Sequence, residues 1–185
     1  MWQNEEGDSY VGEWKGGIAE GFGLFIEAKG SRYEGDLVSF VKQGKGTEKF
    51  QSGDLYTGRY EKGKFDGFGE YYWVDGSYYK GFFKNGVRSG HGVWKKNSNR
   101  NCDKYEGEFE NNKKEGYGIY SWETGHIYKG NYHSNLRHGY GEMYWADNSF
   151  YKGQWDNDMQ HGSGELFTGE EYLKGLFKDG ELIKR

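Results

Sequence analysis

The chain has no proline. A sequence without proline keeps every backbone N–H available as a donor, so nothing in it interrupts a sheet ladder. There is one cysteine, Cys102, which excludes an intramolecular disulfide and fits a reducing compartment. No apolar run approaches the ~20 residues of a membrane-spanning helix. The first residues have neither the basic end nor the apolar stretch of a signal peptide, so the expectation is a soluble, cytoplasmic protein. Positive charge is not in excess: 25 Lys and Arg face 29 Asp and Glu, a net charge of -4. The dense positive field that phosphate neutralisation requires is therefore missing, and nucleic acid is not an expected partner. Aliphatic side chains are few, but 12 Phe, 17 Tyr and 7 Trp replace them. Order is expected, with a core made of rings.

What the chain does have is repetition. A Tyr-x-Gly opening recurs at Tyr10, Tyr33, Tyr56, Tyr79, Tyr105, Tyr128 and Tyr151, and once more with Leu173 in place of the tyrosine. A fixed period of about 23 residues indicates a repeat array. Each unit holds two turn signals. One falls at Gly17, Gly63, Gly86, Asn112, Asn135, Asp158 and Gly180, residue types that tolerate positive φ, with Phe40 as the exception expected to distort its turn. The other falls at Gly30, Gly53, Gly76, Gly125, Asn148 and Gly169. Two turns per repeat mean two short strands, so each repeat reads as a β-hairpin. Residues 1–7 read as the close of a preceding unit.

Alternation assigns the faces. In Tyr56-x-Gly58-x-Tyr60 the rings and the glycine share one face, while Thr57 and Arg59 take the other. Seven G-x-G pairs on the second strands need a reason, since mid-strand glycine weakens a sheet. Rings from neighbouring strands lying over the bare glycines supply one. The fold class expected is all-β: residues 1–185 as one array, an elongated, twisted single-layer antiparallel sheet of about 16 strands. Repeat two is the outlier, with Leu37 where a ring usually stands. Repeat four carries the only insertion, within residues 95–104, read as a solvated turn or a contact point.

With Tyr-x-Gly-x-aromatic, a Gly/Asn turn, x-Gly-x-Gly and a closing Gly over residues 10–180, the chain resembles the MORN (membrane occupation and recognition nexus) repeat family. The resemblance implies a curved, aromatic-lined sheet serving as a protein or lipid binding platform. It further implies a setting such as a ciliary radial spoke, a membrane junction or a cytoskeletal scaffold. Leu173 departs from the pattern and puts the regularity of its strand in doubt.

A one-layer sheet has no second layer to cover its apolar side. A partner-binding groove is therefore expected at Trp14, Tyr60, Trp73, Phe83, Trp94, Phe109, Trp122, Tyr132, Trp145 and Trp155, against the alternative that these rings pack on one another. The opposite face carries Lys80, Lys129, Lys152 and Lys174, a ladder able to attract anionic lipid or, equally, to be balanced by neighbouring acids. Open sheet edges add self-association as an option. The G-x-G pairs lack the following helix of a phosphate loop, and His138 and His161 should stand too far apart to share a metal. No catalytic constellation has supporting context. The reading is thus a non-enzymatic scaffold without cofactor, binding other proteins of a larger, cytoskeletal or ciliary assembly. A peripheral membrane adaptor is the alternative.

Overall fold

The structure, a computed structural model, describes residues 1–97 and 102–185. It is all-β: seventeen antiparallel strands among the described residues form open sheet built from tandem hairpins, not closed into a barrel. Of the insertion at 95–104, residues 98–101 lie outside the described residues. The chain divides into two compact units, Met1–Arg88 and Ser89–Arg185.

The first unit runs β1 (Trp2–Gln3), β2 (Ser9–Lys15), β3 (Ile18–Ile26), β4 (Arg32–Val38), β5 (Val41–Lys49), β6 (Leu55–Glu61), β7 (Lys64–Tyr72) and β8 (Tyr78–Lys84). Each strand pairs with the next in sequence. The second unit holds most of β9 (Val87–Lys95), then β10 (Lys104–Glu110), β11 (Lys113–Ser121), β12 (Ile127–His133), β13 (Leu136–Tyr144), β14 (Phe150–Asp156), β15 (Met159–Phe167), β16 (Tyr172–Lys178) and β17 (Glu181–Lys184). Its strands also pair in sequence order. Leu173 does not disturb the pairing of its strand with the preceding hairpin: Leu166 pairs with Leu173 as Tyr71 pairs with Tyr79.

The tight turns have positive φ at both central residues, 51° and 79° at Lys62 and Gly63, 49° and 68° at Asn111 and Asn112. That pattern suits a type I′ turn, whose twist matches that of the flanking strands. Phe40 was expected to distort its turn and does not: Ser39 and Phe40 adopt 51° and 62°, and Val38 still pairs with Val41. The left-handed conformation costs a non-glycine residue about 1–2 kcal/mol. The Phe40 ring offsets this by packing 4.9 Å from Trp2 and 5.7 Å from Trp14, centroid to centroid. The wider turns close as at Trp73–Ser77, where the Trp73 amide donates to the Ser77 carbonyl at 2.9 Å and Gly76 donates back to the Trp73 carbonyl at 3.0 Å.

The core is a single device used seven times. The opening tyrosines Tyr10, Tyr33, Tyr56, Tyr79, Tyr105, Tyr128 and Tyr151 are all fully buried. In six of the seven the ring covers two glycines of its own hairpin, not a neighbour's: a Cβ on Gly23 would lie 2.3 Å from Tyr10 Cε2. Beyond these six glycine pairs the register slips, as between Gly58 and Tyr60, and the bulge is completed on the partner strand by the first glycine of G-x-G, Gly67 at φ 91°. The slip leaves the Arg59 carbonyl without its ladder partner, and the Tyr56 hydroxyl donates to it at 2.9 Å. The same bond, from tyrosine to the residue three further on, is made by all seven at 2.8–3.0 Å. A buried phenol is thereby satisfied by the carbonyl that the bulge frees.

Candidate interaction surfaces

Of the ten rings expected to form a groove, five are core. Tyr60 and Phe83 in the first unit, and Phe109, Tyr132 and Trp155 in the second, are at most 6% exposed. They interleave edge-to-face with the opening tyrosines. In the first unit the sequence of contacts is Tyr33, Tyr60, Tyr56, Phe83, Tyr79, with centroids 5.1–5.4 Å apart. In the second it is Phe109, Tyr105, Tyr132, Tyr128, Trp155, Tyr151, Phe177, at 5.0–5.5 Å. Such tilted contacts are the favoured aromatic geometry. The other five rings remain accessible: Trp14 is exposed, and Trp73, Trp94, Trp122 and Trp145 are half-buried. Trp73 lies 4.8 Å from Tyr71, and Trp122 lies 4.5 Å from Tyr120, so the turn tryptophans stand on rings of the adjoining strands.

Sequence reasoning missed a set of cations on this same face. The second residue of several second strands lays its charge over the core rings: Lys42 over Tyr33 at 5.3 Å, Arg88 over Tyr79 at 5.6 Å, and Arg137 over Trp155 at 4.3 Å. Lys114 stands over Tyr132 at 4.7 Å and Tyr120 at 4.8 Å. Burial pushes the Lys114 ammonium pKa down, while ring faces attract the charge that burial disfavours. The signal was in the sequence, a Lys or Arg one residue after the turn pair plus one, but it was hidden because Ala19, Phe65 and Gln160 hold the equivalent places.

Glu48 is the other unanticipated core residue. It is 4% exposed, accepts a 2.9 Å hydrogen bond from the Tyr60 hydroxyl and is ion-paired with Lys42. Burial, followed by this carboxylate, pushes the Tyr60 pKa up.

On the opposite face, the lysine ladder is interleaved with acids by the register. Lys80 pairs with Glu70 at 3.1 Å, Lys152 with Glu142 at 3.7 Å and Lys174 with Glu165 at 2.7 Å. Hydrogen bonds, from Tyr72 first and Glu70 next, hold the Lys80 pKa up, and Tyr144 and Glu165 do the same for Lys152 and Lys174. Lys129 sits 5.7 Å from the Tyr144 ring. Also on this face, and also missed, are Phe22, Phe68, Phe82, Tyr117 and Tyr140, each 49–56% exposed. All but Phe82 are the middle residue of G-x-G, whose parity opposite to the glycines was available from the sequence. Two open grooves lie here, about 610 Å³ in the first unit between Phe22 and Phe68, and about 500 Å³ in the second beside Tyr140 and Leu176.

Among the described residues no group of three metal-ligating side chains converges, and no helix is long and apolar enough to cross a membrane. Four of the five histidines face carboxylates singly: His91 Nδ1 lies 3.1 Å from Glu108, His133 2.9 Å from Glu115, His138 3.2 Å from Asp156 and His161 3.9 Å from Asp179. The last three pairs bridge strands near tight turns, while His91 and Glu108 face each other in mid-strand.

One hairpin plan, with its tyrosine seat and its two turns, recurs through both units, which makes the molecule a tandem β-hairpin repeat protein. The chain belongs to the MORN repeat family, whose model matches residues 10–32, 33–55, 56–78, 79–99, 105–127, 128–150 and 151–167. Comparison with curated protein sequences gives no significant match. Among solved structures, the chain is similar to the TCP domain of SAS-4 (dCPAP) from Drosophila melanogaster, solved in complex with a proline-rich motif of Ana2 (dSTIL). The TM-score is 0.53 at 10% identity, covering 92% of this chain and 90% of that one. The wild-type TCP10 domain of Danio rerio CPAP, in complex with a STIL peptide, matches at 11% identity over 92% and 98% of the two chains. Its TM-score of 0.22 carries no argument. The first likeness shows the fold alone.

Proposed function

We propose that the chain is a non-enzymatic scaffold module that holds a helix or extended segment of a partner protein against its aromatic rings, within a cytoskeletal or ciliary assembly. The observation that carries this reading is the set of accessible tryptophans, Trp14 and Trp73 in the first unit and Trp94, Trp122 and Trp145 in the second, of which Trp14, Trp73 and Trp122 rest on the tyrosines Tyr10, Tyr71 and Tyr120. Rings already held in place lose little entropy on binding, and tryptophan dominates binding energy at interfaces. A supporting likeness is the SAS-4 TCP domain, which shares the fold and was solved with a proline-rich motif of another protein; such segments dock on aromatic-lined surfaces.

The test is affinity capture from a cytoskeletal extract with the wild-type chain and with Trp122→Ala plus Trp145→Ala, both checked for native circular dichroism. Loss of specific partners from the double variant is expected. Unchanged capture sinks the reading. An anionic membrane is the competing occupant. Retention on anionic liposomes at physiological salt, abolished by Glu at Lys129, Lys152 and Lys174, would give the membrane priority. The glutamates paired with Lys80, Lys152 and Lys174 favour the protein partner, since the charge those lysines would offer a lipid is already engaged.

A further inference from the structure

On the face opposite the tyrosines, the register of the first unit places Phe22, Asp36, Lys45, Arg59, Phe68 and Phe82 in one row across β3 to β8. At its centre Lys45 and Arg59 are directly opposite partners on β5 and β6. Like charges so placed on a sheet are destabilising. Among the described residues neither side chain has a carboxylate within ion-pair distance. The acids around the groove are engaged elsewhere. Glu70 is held by Lys80 at 3.1 Å and by the Tyr72 hydroxyl at 2.5 Å, Glu34 lies 3.6 Å from Arg32, and Asp36 accepts from the Lys45 amide at 3.1 Å. Two exposed cations thus stand unpaired over a floor that includes Gly46 and Gly58, with Phe22 and Phe68 walling the same groove.

We infer that this row is a second docking surface, distinct from the tryptophan rim, and that its occupant is an extended acidic segment of a partner protein. It rests on the reading of the chain as a protein-binding module and adds the chemistry of what is bound. A carboxylate side chain of the segment sits between Lys45 and Arg59, where the guanidinium offers a two-point contact. With strands ~4.8 Å apart, the centre of the cation pair is about 7 Å from Phe68 and about 12 Å from Phe22. An extended chain advancing ~3.3 Å per residue across the strands then places an apolar side chain two residues from the acid over Phe68. A second apolar side chain falls three or four residues away on the other side, over Phe22. Phe68 and Phe82, 5.7 Å apart and edge-to-face, broaden the first of these contacts.

The test uses the full chain against a displayed library of random peptides, followed by affinity measurement on the selected peptides. The expected winners share one acidic residue with apolar residues at those two spacings. Replacing the acid by its amide weakens binding about tenfold, as do Lys45→Glu and Phe68→Ala in the protein. Arg59→Glu gives a sharper signature: it replaces a repulsive cross-strand pair by an attractive one, so the variant melts higher than wild type while losing the peptide. Trp122→Ala plus Trp145→Ala leaves peptide affinity unchanged, which separates failure of this surface from failure of the tryptophan rim. Winners without the acid, no winners, or binding indifferent to both charge reversals overturns the proposal. Retention on phosphatidylserine vesicles that is lost in Lys45→Glu also overturns it, by assigning the pair to a membrane.

Discussion

The second and third hairpins have the same backbone and different interiors. Both put an opening tyrosine over two glycines, slip register at the same place and close a tight turn with two positive φ angles. In the third, the positions around the tyrosine are filled by Tyr60, Phe65 and Tyr71, with Phe65 stacked on Tyr56 at 3.8 Å. In the second, the equivalent positions hold Leu37, Lys42 and Glu48, so a buried ion pair stands where rings stack. The hairpin geometry therefore comes from the tyrosine seat and the turns. The ring positions around it accept any filling that is apolar or internally neutralised. The ion pair is tolerated because Glu48 also serves the Tyr60 hydroxyl of the neighbouring hairpin. Removing one member of such a group leaves the other charge without its partner.

The shared device should show the largest effect and should not distinguish the hairpins. Gly46→Ala sets a Cβ 2.4 Å from Tyr33 Cε2, and Gly69→Ala sets one 2.4 Å from the Tyr56 hydroxyl. Each displaces a fully buried ring, and urea unfolding should register about 3 kcal/mol in both cases. Unequal losses would mean that the seat is not common to the two. The filling should distinguish them. Glu48→Ala strands Lys42 and the Tyr60 hydroxyl at a cost of about 2 kcal/mol, moderated by Glu27 lying 3.8 Å from Lys42. Importing the neighbour's rings together, Lys42→Phe with Glu48→Tyr, should recover that loss. A double variant no better than Glu48→Ala would show the pair to be structurally required.

The smallest effect at any one residue, and one spread over both hairpins, is alkaline. Burial raises Tyr33 and Tyr56, and raises Tyr71 to about 12 from an unfolded value of 10.0. A raised folded pKa means the native state keeps its protons longer than the unfolded one. Stability is then fully present below pH 10 and lost as pH rises through the folded values. Tyrosinate absorbance and far-ultraviolet circular dichroism should therefore change together in one cooperative step. Ionisation of the opening tyrosines with the sheet intact would contradict their burial.

Much of this was legible because it is local. The period, the hairpins, both turns and the face of each opening tyrosine follow from residues within one repeat, since strand parity and positive-φ preferences act over two or three positions. The accessible aromatics of the opposite face were legible too, as the middle residue of G-x-G, yet the pull of counting rings as one set hid Phe22, Phe68, Tyr117 and Tyr140. Phe40 was misread because its turn conformation is favourable only once Trp2, Tyr10 and Trp14 are packed against it. Glu48 looked like surface because charged residues usually are; its burial depends on Lys42, six residues earlier on the same strand, and on Tyr60 of the neighbouring strand.

The sequence by itself determined that this chain repeats a hairpin about every 23 residues and that its core is tyrosine over glycine, because spacing and steric permissiveness are properties of the local chain. Only the tertiary structure decided which rings are interior and which remain for a partner, and which charges are neutralised. Those depend on register between strands and on the closing of each tyrosine onto a bulge, where side chains from three successive strands meet.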